Sequence, residues 1–303
     1  MSPVLQSVQG DGPPDLLTVG HVTRDVHADG SFSLGGTVSF ASLTAARLGA
    51  SAAVVTRADV QLAAQLPRLL PGIALAVRPS AETTTFDNRY HDGFRTQYLL
   101  ARADTLQADD VPEAWRAAPI VLLAPLAQEL DPGILALFPR RPGALIAATP
   151  QGWLRRQDAD GRVWPAPWTA AEQILPCLDA LILSHDDLLP FANGNRAEAD
   201  AILARWSQHV PLLVATDGRY GATLYQHGQP ARFPAYSARE LDPTGAGDVF
   251  AAAFLIHLSR HADPPAAVDF ANAVASLSVE HEGITGIPTL EQVLKRQKRG
   301  WSR

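Results

Sequence analysis

Six short apolar runs, spaced so that helical stretches fit between them, constrain the fold of this chain more than any other feature. They cover residues 16–20, 52–58, 120–125, 144–149, 180–184 and 211–216. Apolar runs of this length fit strands covered on both faces, and strands alternating with helices make a mostly parallel sheet. Residues 37–50, rich in Ala and Leu and closed by Gly49, read as a helix, as do residues 247–259 and 265–283. The expected fold class is α/β: a doubly wound, mostly parallel sheet flanked by helices. Ligands of open α/β sheets sit beyond the carboxyl ends of strands, and glycine or polar residues follow several of these runs.

Two segments break the pattern. Residues 25–36 alternate around Asp29-Gly30. Residues 83–101 alternate, carry aromatic and β-branched residues, and turn at Asp92-Gly93. Both read as antiparallel hairpins standing apart from the parallel sheet. Residues 1–14 and 291–303 read as tails around a single domain of residues 15–290, and Val163–Thr169 reads as a loop.

The chain has 303 residues, 47% of them hydrophobic and 18% charged, which suits one large domain with a sizeable core. A net charge of −6 without a long basic run before the C-terminal tail argues against nucleic acid as a partner, because neutralising phosphates needs clustered Lys and Arg. Lys295 and Lys298 are the only lysines. That excludes a Walker-type phosphate loop, a protein-kinase lysine and a pyridoxal Schiff base, each of which needs a lysine inside the fold. Cys177 stands alone, so neither an intrachain disulfide nor a thiolate metal cluster can form. The nine histidines lack metal-ligand spacing. No apolar run approaches the ~20 residues of a membrane span, and the first 15 residues lack the apolar centre of a secretion signal. The expectation is a cytoplasmic protein without a membrane partner.

The segment LDPTGAGDVF, Leu241 to Phe250, carries the chemistry. Gly245, Ala246 and Gly247 leave backbone N–H groups uncovered ahead of an apolar helix, and such groups at a helix N-terminus form an anion cradle. Asp248 follows in the first turn. A carboxylate beside an anion cradle suits a base that takes the proton of an attacking hydroxyl while the cradle holds charge on a transferred phosphoryl group. A plain loop with a helix cap is the competing reading of such a string.

LDPTGAGDVFAAAFL resembles the C-terminal signature of the PfkB (ribokinase-like) carbohydrate kinases. Other pieces follow in that family's order: VGHVTRD (19–25), GGTVSFASLTAARLG (35–49), TDGRYG (216–221) and ANAVASLSVEHEG (271–283). The resemblance covers roughly residues 15–290. It implies ATP-dependent phosphoryl transfer to a hydroxyl of a small sugar or polyol, with Mg²⁺ and, in some relatives, a monovalent cation such as K⁺. Asp248 would be the base, and Gly245, Ala246 and Gly247 the anion hole. Thr216, Gly218 and Gly221 would border the nucleotide, with Asn272 near the adenine. Asp25, Gly35 and Gly36 would face the acceptor. The two hairpins would form a small β lid that excludes water, and a homodimer is expected by analogy.

Three features depart from the family's usual pattern. Phe40 stands where an asparagine usually meets the sugar, so ribose itself is disfavoured. Ser184-HDD-Asp187 replaces an N-x-x-E pair, leaving Asp187 as the carboxylate for magnesium. Phe40 together with Leu277–Gly283 looks more like the myo-inositol kinase-like branch. On the second hairpin Asn88 and Tyr90 share one face by alternation, as Arg95 and Gln97 share one, and Asn88 and Arg95 are expected acceptor contacts. Gln151 and Arg155 after the fourth run are expected there too, and Asp242 and Thr244 at the cation. Two other readings remain open: a nucleoside kinase, with Phe40, Phe86 and Tyr90 stacking on a base, and a sugar- or nucleotide-binding protein without turnover. A dinucleotide dehydrogenase lacks the G-x-G-x-x-G after its first strand.

Overall fold

The computed structural model describes residues 5–7, 12–91 and 94–300. Each of the six apolar runs is a strand of one ten-stranded sheet. Its parallel centre runs, in spatial order, β6 (Ala74–Pro79), β5 (Ala52–Ala58), β2 (Leu16–Val19), β9 (Ile120–Leu123), β10 (Leu145–Ala148), β13 (Ala180–Ser184) and β14 (Leu212–Thr216). One edge is closed by the antiparallel β1 (Leu5–Ser7), and the other by the antiparallel pair β15 (Ala222–Gln226) and β16 (Gln229–Phe233).

Both faces of the sheet are buried, which explains why these strands read as continuous apolar runs. Leu16, Ala180, Ile182 and Val214 point into one core, with the helices α1 (Thr37–Arg47), α5 (Ala246–His261) and α6 (Pro264–Ser278). Leu17, Leu181, Leu183 and Leu213 point into the other, with Trp115, Trp168 and Trp206. Trp206 ends α4 (Arg196–Trp206), and Trp168 stacks on Trp153 at 4.9 Å. The remaining helices are α2 (Val60–Leu69), α3 (Ala171–Ile174) and α7 (Leu290–Arg299). Among the described residues no helix is long and apolar enough to cross a membrane.

The two hairpins combine into a second sheet of four strands, β4 (Phe32–Gly35), β3 (Thr23–Val26), β7 (Thr85–His91) and β8 (Phe94–Ala101), with β3 parallel to β7. The Asp92–Gly93 turn lies outside the described residues. His21 pins the crossing between the sheets. Its Nε2 faces the Asp104 carbonyl at 3.0 Å, so that nitrogen donates, and Nδ1 accepts from the Thr84 hydroxyl at 2.7 Å. Burial holds this ring below its ordinary pKa, in the neutral form that the pairing needs.

Some elements differ from the sequence expectation. Residues 163–169 are not simply a loop: β11 (Arg155–Gln157) and β12 (Val163–Pro165) form a hairpin, and Gly161 accepts a bond from the Leu99 amide of the four-stranded sheet at 2.8 Å. The expected C-terminal tail is mostly α7, capped reciprocally by Thr289 and Gln292. Part of the expected N-terminal tail is β1.

Candidate active site

Asp248 stands in the first turn of α5, within electrostatic reach of Asp187, just past the carboxyl end of β13, and of Arg155, beyond that of β10. The turn is set by Gly245, held at φ +75°, a conformation that residues with a Cβ adopt at a cost. The Ala246 amide donates to the Pro243 carbonyl at 3.1 Å. The cradle expected from three consecutive amides therefore keeps one of them for its own turn, while open space lies above Gly247.

Four side chains from separate elements act on Asp248. Burial pushes its carboxyl up to about 6; the Thr37 hydroxyl bonds the carboxylate and opposes the rise. The charges of Asp187 and Asp25 add to it, and that of Arg155 opposes it. Thr37 heads α1, directly after Gly36. The sequence reading missed it, although a hydroxyl immediately after a double glycine at a helix start was a signal that could have found it.

Asp25 lies on β3, paired across to Phe86 of β7 and Ser33 of β4. A Cβ at Gly35 would overlap the Asp25 carboxylate and the Thr23 hydroxyl, so glycine at 35 is what lets Asp25 sit there. Asn88 shares the face of Phe86 by alternation, and its side-chain oxygen accepts from Gln97 at 2.9 Å. The Arg95 side chain, like that of Tyr90, lies outside the described residues.

Asp187 is half-buried in a short turn after β13. It accepts the Ser184 amide at 3.1 Å, and Ser184 Oγ accepts the Asp186 amide. Burial raises its carboxyl above the ordinary range, against the Arg155 charge, the Ser184 amide and a bond from Gln151. Gln151, expected as an acceptor contact, is thus engaged with Asp187. Arg155 charges both carboxylates, which makes it the electrostatic link between them.

Thr216 pairs with Ser184 at the ends of β14 and β13. Gly218 and Gly221 frame the following turn, and just before it Asp217 pairs with Arg196, with Arg232 at 3.8 Å.

Two expected contacts are engaged within the fold. Phe40 is 3% exposed and packs in the core against Gly245, so it supports the Gly245 turn from below and its ring is covered. Asn272 is 6% exposed and donates to the Pro234 carbonyl at 3.2 Å, which ties down the 234–242 loop.

Asp242 and Thr244 form a loop tie. Burial works against the Asp242 charge, but bonds from Thr244 and from the Gly283 amide at 2.8 Å outweigh it and hold the carboxyl below its usual range. Among the described residues no three His, Cys, Asp or Glu side chains converge to hold a metal.

Residues 153–290 match the family described as pfkB family carbohydrate kinase. A probable fructokinase-5 of Arabidopsis thaliana is 29% identical over 168 residues, 51% of this chain and 52% of that protein. The chain spans about half the length of this and other fructokinases that it matches. An inositol 3-kinase of Oryza sativa subsp. japonica is 27% identical over 301 residues, 92% of this chain and 72% of that protein. A solved pyrophosphate-dependent kinase in the ribokinase family, complexed with a pyrophosphate analog and myo-inositol, superposes with a TM-score of 0.77 at 24% identity, covering 93% of this chain and 99% of that one. The fold likeness runs the length of the chain, and the match to the pfkB family carbohydrate kinases lies over residues 153–290.

Proposed function

We propose that the chain transfers the γ-phosphoryl group of ATP to a hydroxyl of a small sugar or polyol. The observation that carries this reading is Asp248: a carboxylate on the first turn of a 16-residue helix, its pKa raised to about 6, bonded by the Thr37 hydroxyl. Such a group is ionised at neutral pH yet basic enough to draw a proton from a hydroxyl as the oxygen attacks. The helix N-terminus beside it favours the charge on the phosphoryl group in flight.

Asp25, Asn88 and the rest of the small sheet's inner face hold and orient the acceptor, and closure of that sheet excludes water. Thr216, Gly218 and Gly221 border the donor. Magnesium would arrive on the donor's phosphates and keep several waters, since no cluster of three His, Cys, Asp or Glu side chains among the described residues offers it a cage; Asp187 is the carboxylate that would meet it. Bound there, the ion would neutralise phosphate charge.

Cyclic polyols are the first acceptors to test, since the rice inositol 3-kinase aligns with 92% of the chain. Burial of Phe40 in the core removes one of the rings that a nucleoside kinase would use for base stacking.

The test is donor consumption over inositols, sugars, sugar acids and nucleosides, with Mg²⁺ and K⁺ present and ATP and pyrophosphate as alternative donors. Turnover with a polyol and ATP, lost in Asp248→Asn, is the expected result. Turnover with pyrophosphate alone would replace the donor assignment. No turnover with any pair would leave a binding protein as the reading.

A further inference from the structure

His257 and His261 both belong to α5, and their spacing on a helix places two side chains one above the other on one face. Their ring centres lie 4.4 Å apart, with 42° between the ring planes. Along the chain the histidines announce no metal site; the helix brings this pair together at its last turn. The pair lies roughly 14–20 Å along the helix axis from Asp248, outside the residues that would transfer a phosphoryl group.

The separation of the rings suits a single ion held by both. With metal–nitrogen bonds of about 2.0–2.1 Å, two imidazoles at right angles on one ion have ring centres about 4.5 Å apart, and a tetrahedral angle spreads them to about 5.2 Å. The observed 4.4 Å therefore fits adjacent corners of a square-planar or tetragonal ion, the preference of Cu²⁺ and Ni²⁺ among nitrogen and oxygen ligands.

One of the two rings is already fixed in place. Phe270 of α6 is buried and packs on the His257 ring at 4.8 Å, so little freedom remains to be lost when a ligand arrives. The Nδ1 atom of His257 is buried without a hydrogen-bond partner, and a buried polar atom in that state is short of a ligand. Burial, with the charges of His261 and Arg260, holds this ring below its ordinary pKa against the pull of Asp263 and Asp269; neutral imidazole is the form that binds metals. His261 is exposed, which leaves the pair open to a hydrated ion from solvent.

The surrounding charge tolerates a cation. Both histidines stand in the last turns of a 16-residue helix, where the carbonyl ends of the peptide dipoles favour positive charge. Arg260 turns its guanidinium away onto the Leu48 and Gly49 carbonyls at 3.0 and 3.1 Å. Asp263, which caps α6 through the Ala266 amide at 3.0 Å, adds negative charge within reach of His257.

We propose that His257 and His261 are the protein ligands of one divalent transition-metal ion of the Cu²⁺ or Ni²⁺ type, bound at adjacent corners, with water at the others. Among the described residues no third His, Cys, Asp or Glu side chain joins them, so the site is an open chelate and not a closed cage. It is distinct from the magnesium that donor phosphates would bring, because Mg²⁺ takes oxygen ligands. The bound ion ties the last turn of α5 to itself and, through the Phe270 contact, to α6.

The test is calorimetric titration of NiCl₂ and CuCl₂ into the untagged full chain, with ZnCl₂ and MgCl₂ for comparison. One saturable site is expected, tighter for Cu²⁺ than for Ni²⁺ and silent to Mg²⁺. His261→Gln should weaken Ni²⁺ binding by roughly tenfold or more, because the second ligand of a chelate binds intramolecularly. His209→Gln, which removes an exposed histidine beyond α4, should leave it unchanged. Ni²⁺ at about ten times its Kd should raise Tm by about 2 °C, and His261→Gln should lose that rise.

Neither histidine has a part in phosphoryl transfer, so these results stand whether or not the chain is a kinase. Ni²⁺ binding that keeps its affinity in His261→Gln would place the ion elsewhere and overturn the proposal, as would the absence of saturable binding. Zn²⁺ held more tightly than Cu²⁺ would overturn the right-angle geometry on which the choice of metal rests.

Discussion

The Phe40 ring fills the space that a side chain at Gly245 would need. Helix α1 and the Gly245 turn before α5 are therefore fitted to each other through one aromatic ring and one missing Cβ. Gly245→Ala should lower stability by about 2–5 kcal/mol, combining the left-handed backbone cost with overpacking, and lower Tm by roughly 5 °C or more. Adding Phe40→Leu should return the steric part and leave the backbone part, because φ +75° persists whatever occupies position 40. Thermal unfolding of the two single variants and the double variant measures this coupling; strict additivity would show that the two residues are not fitted to each other.

The pH profile should report Asp248 directly. With its carboxyl at about 6, turnover should climb with unit slope through the acidic range and level off above about pH 6 as the base ionises. The Thr37 hydroxyl lowers this pKa, so Thr37→Val should move the limb to higher pH and reduce turnover most below neutrality. A limb near pH 4, or one that ignores Thr37→Val, would remove Asp248 from the role of base.

The parallel core was legible because both faces of its strands are covered, so burial wrote continuous apolar runs into residues such as Ala180–Ser184. Asp248 and its turn were legible because the glycines and the carboxylate are adjacent in the chain. Contacts that depend on a side chain's depth were not. Phe40 and Asn272 stand at positions where the family's ligand contacts were expected, yet tertiary packing sends both inward. The β15–β16 hairpin turns at His227-Gly228, with both residues at positive φ, and histidine there hides a turn that Asn-Gly would have announced. Arg102 and Arg156 are far apart in sequence, and only the pairing of β8 with the β11–β12 hairpin brings them to one cavity.

Asp248 should also cost the fold stability at neutral pH. Its folded pKa of about 6 lies above the ordinary 3.8, so the folded protein holds a proton that the unfolded chain has released between those values. Stability falls as pH rises through that window and stays lower above it. Asp248→Asn removes the charge. Urea unfolding should find this variant more stable than the natural chain at pH 8 by roughly 1–3 kcal/mol, toward the lower figure because the cleft is partly open to solvent, with the difference vanishing below pH 4. The same variant should lose roughly 10²–10⁴-fold in turnover while keeping donor affinity. Equal stability at both pH values would show that the carboxylate is better solvated than its position implies.

Arg296 of α7 should control the donor side from outside the site. Its guanidinium donates to the Ser237 carbonyl at 2.7 Å and to Glu280 at 2.8 Å, with Ser276 Oγ at 3.3 Å. It thus joins the 234–242 loop, α6 and the turn after α6, the same parts that Asn272 and Asp242 hold from within. Arg296→Met keeps most of the packed stem and removes the three bonds. On the proposed kinase reading this loop and the turn after α6 flank the donor, and these bonds touch no reacting atom, so the expected effect is a several-fold rise in the KM for ATP with kcat nearly unchanged, together with faster hydrogen exchange at Gly283, whose amide bonds Asp242. A fall in kcat at constant KM would mean instead that α7 supports the geometry of Asp248 through α5 and α6.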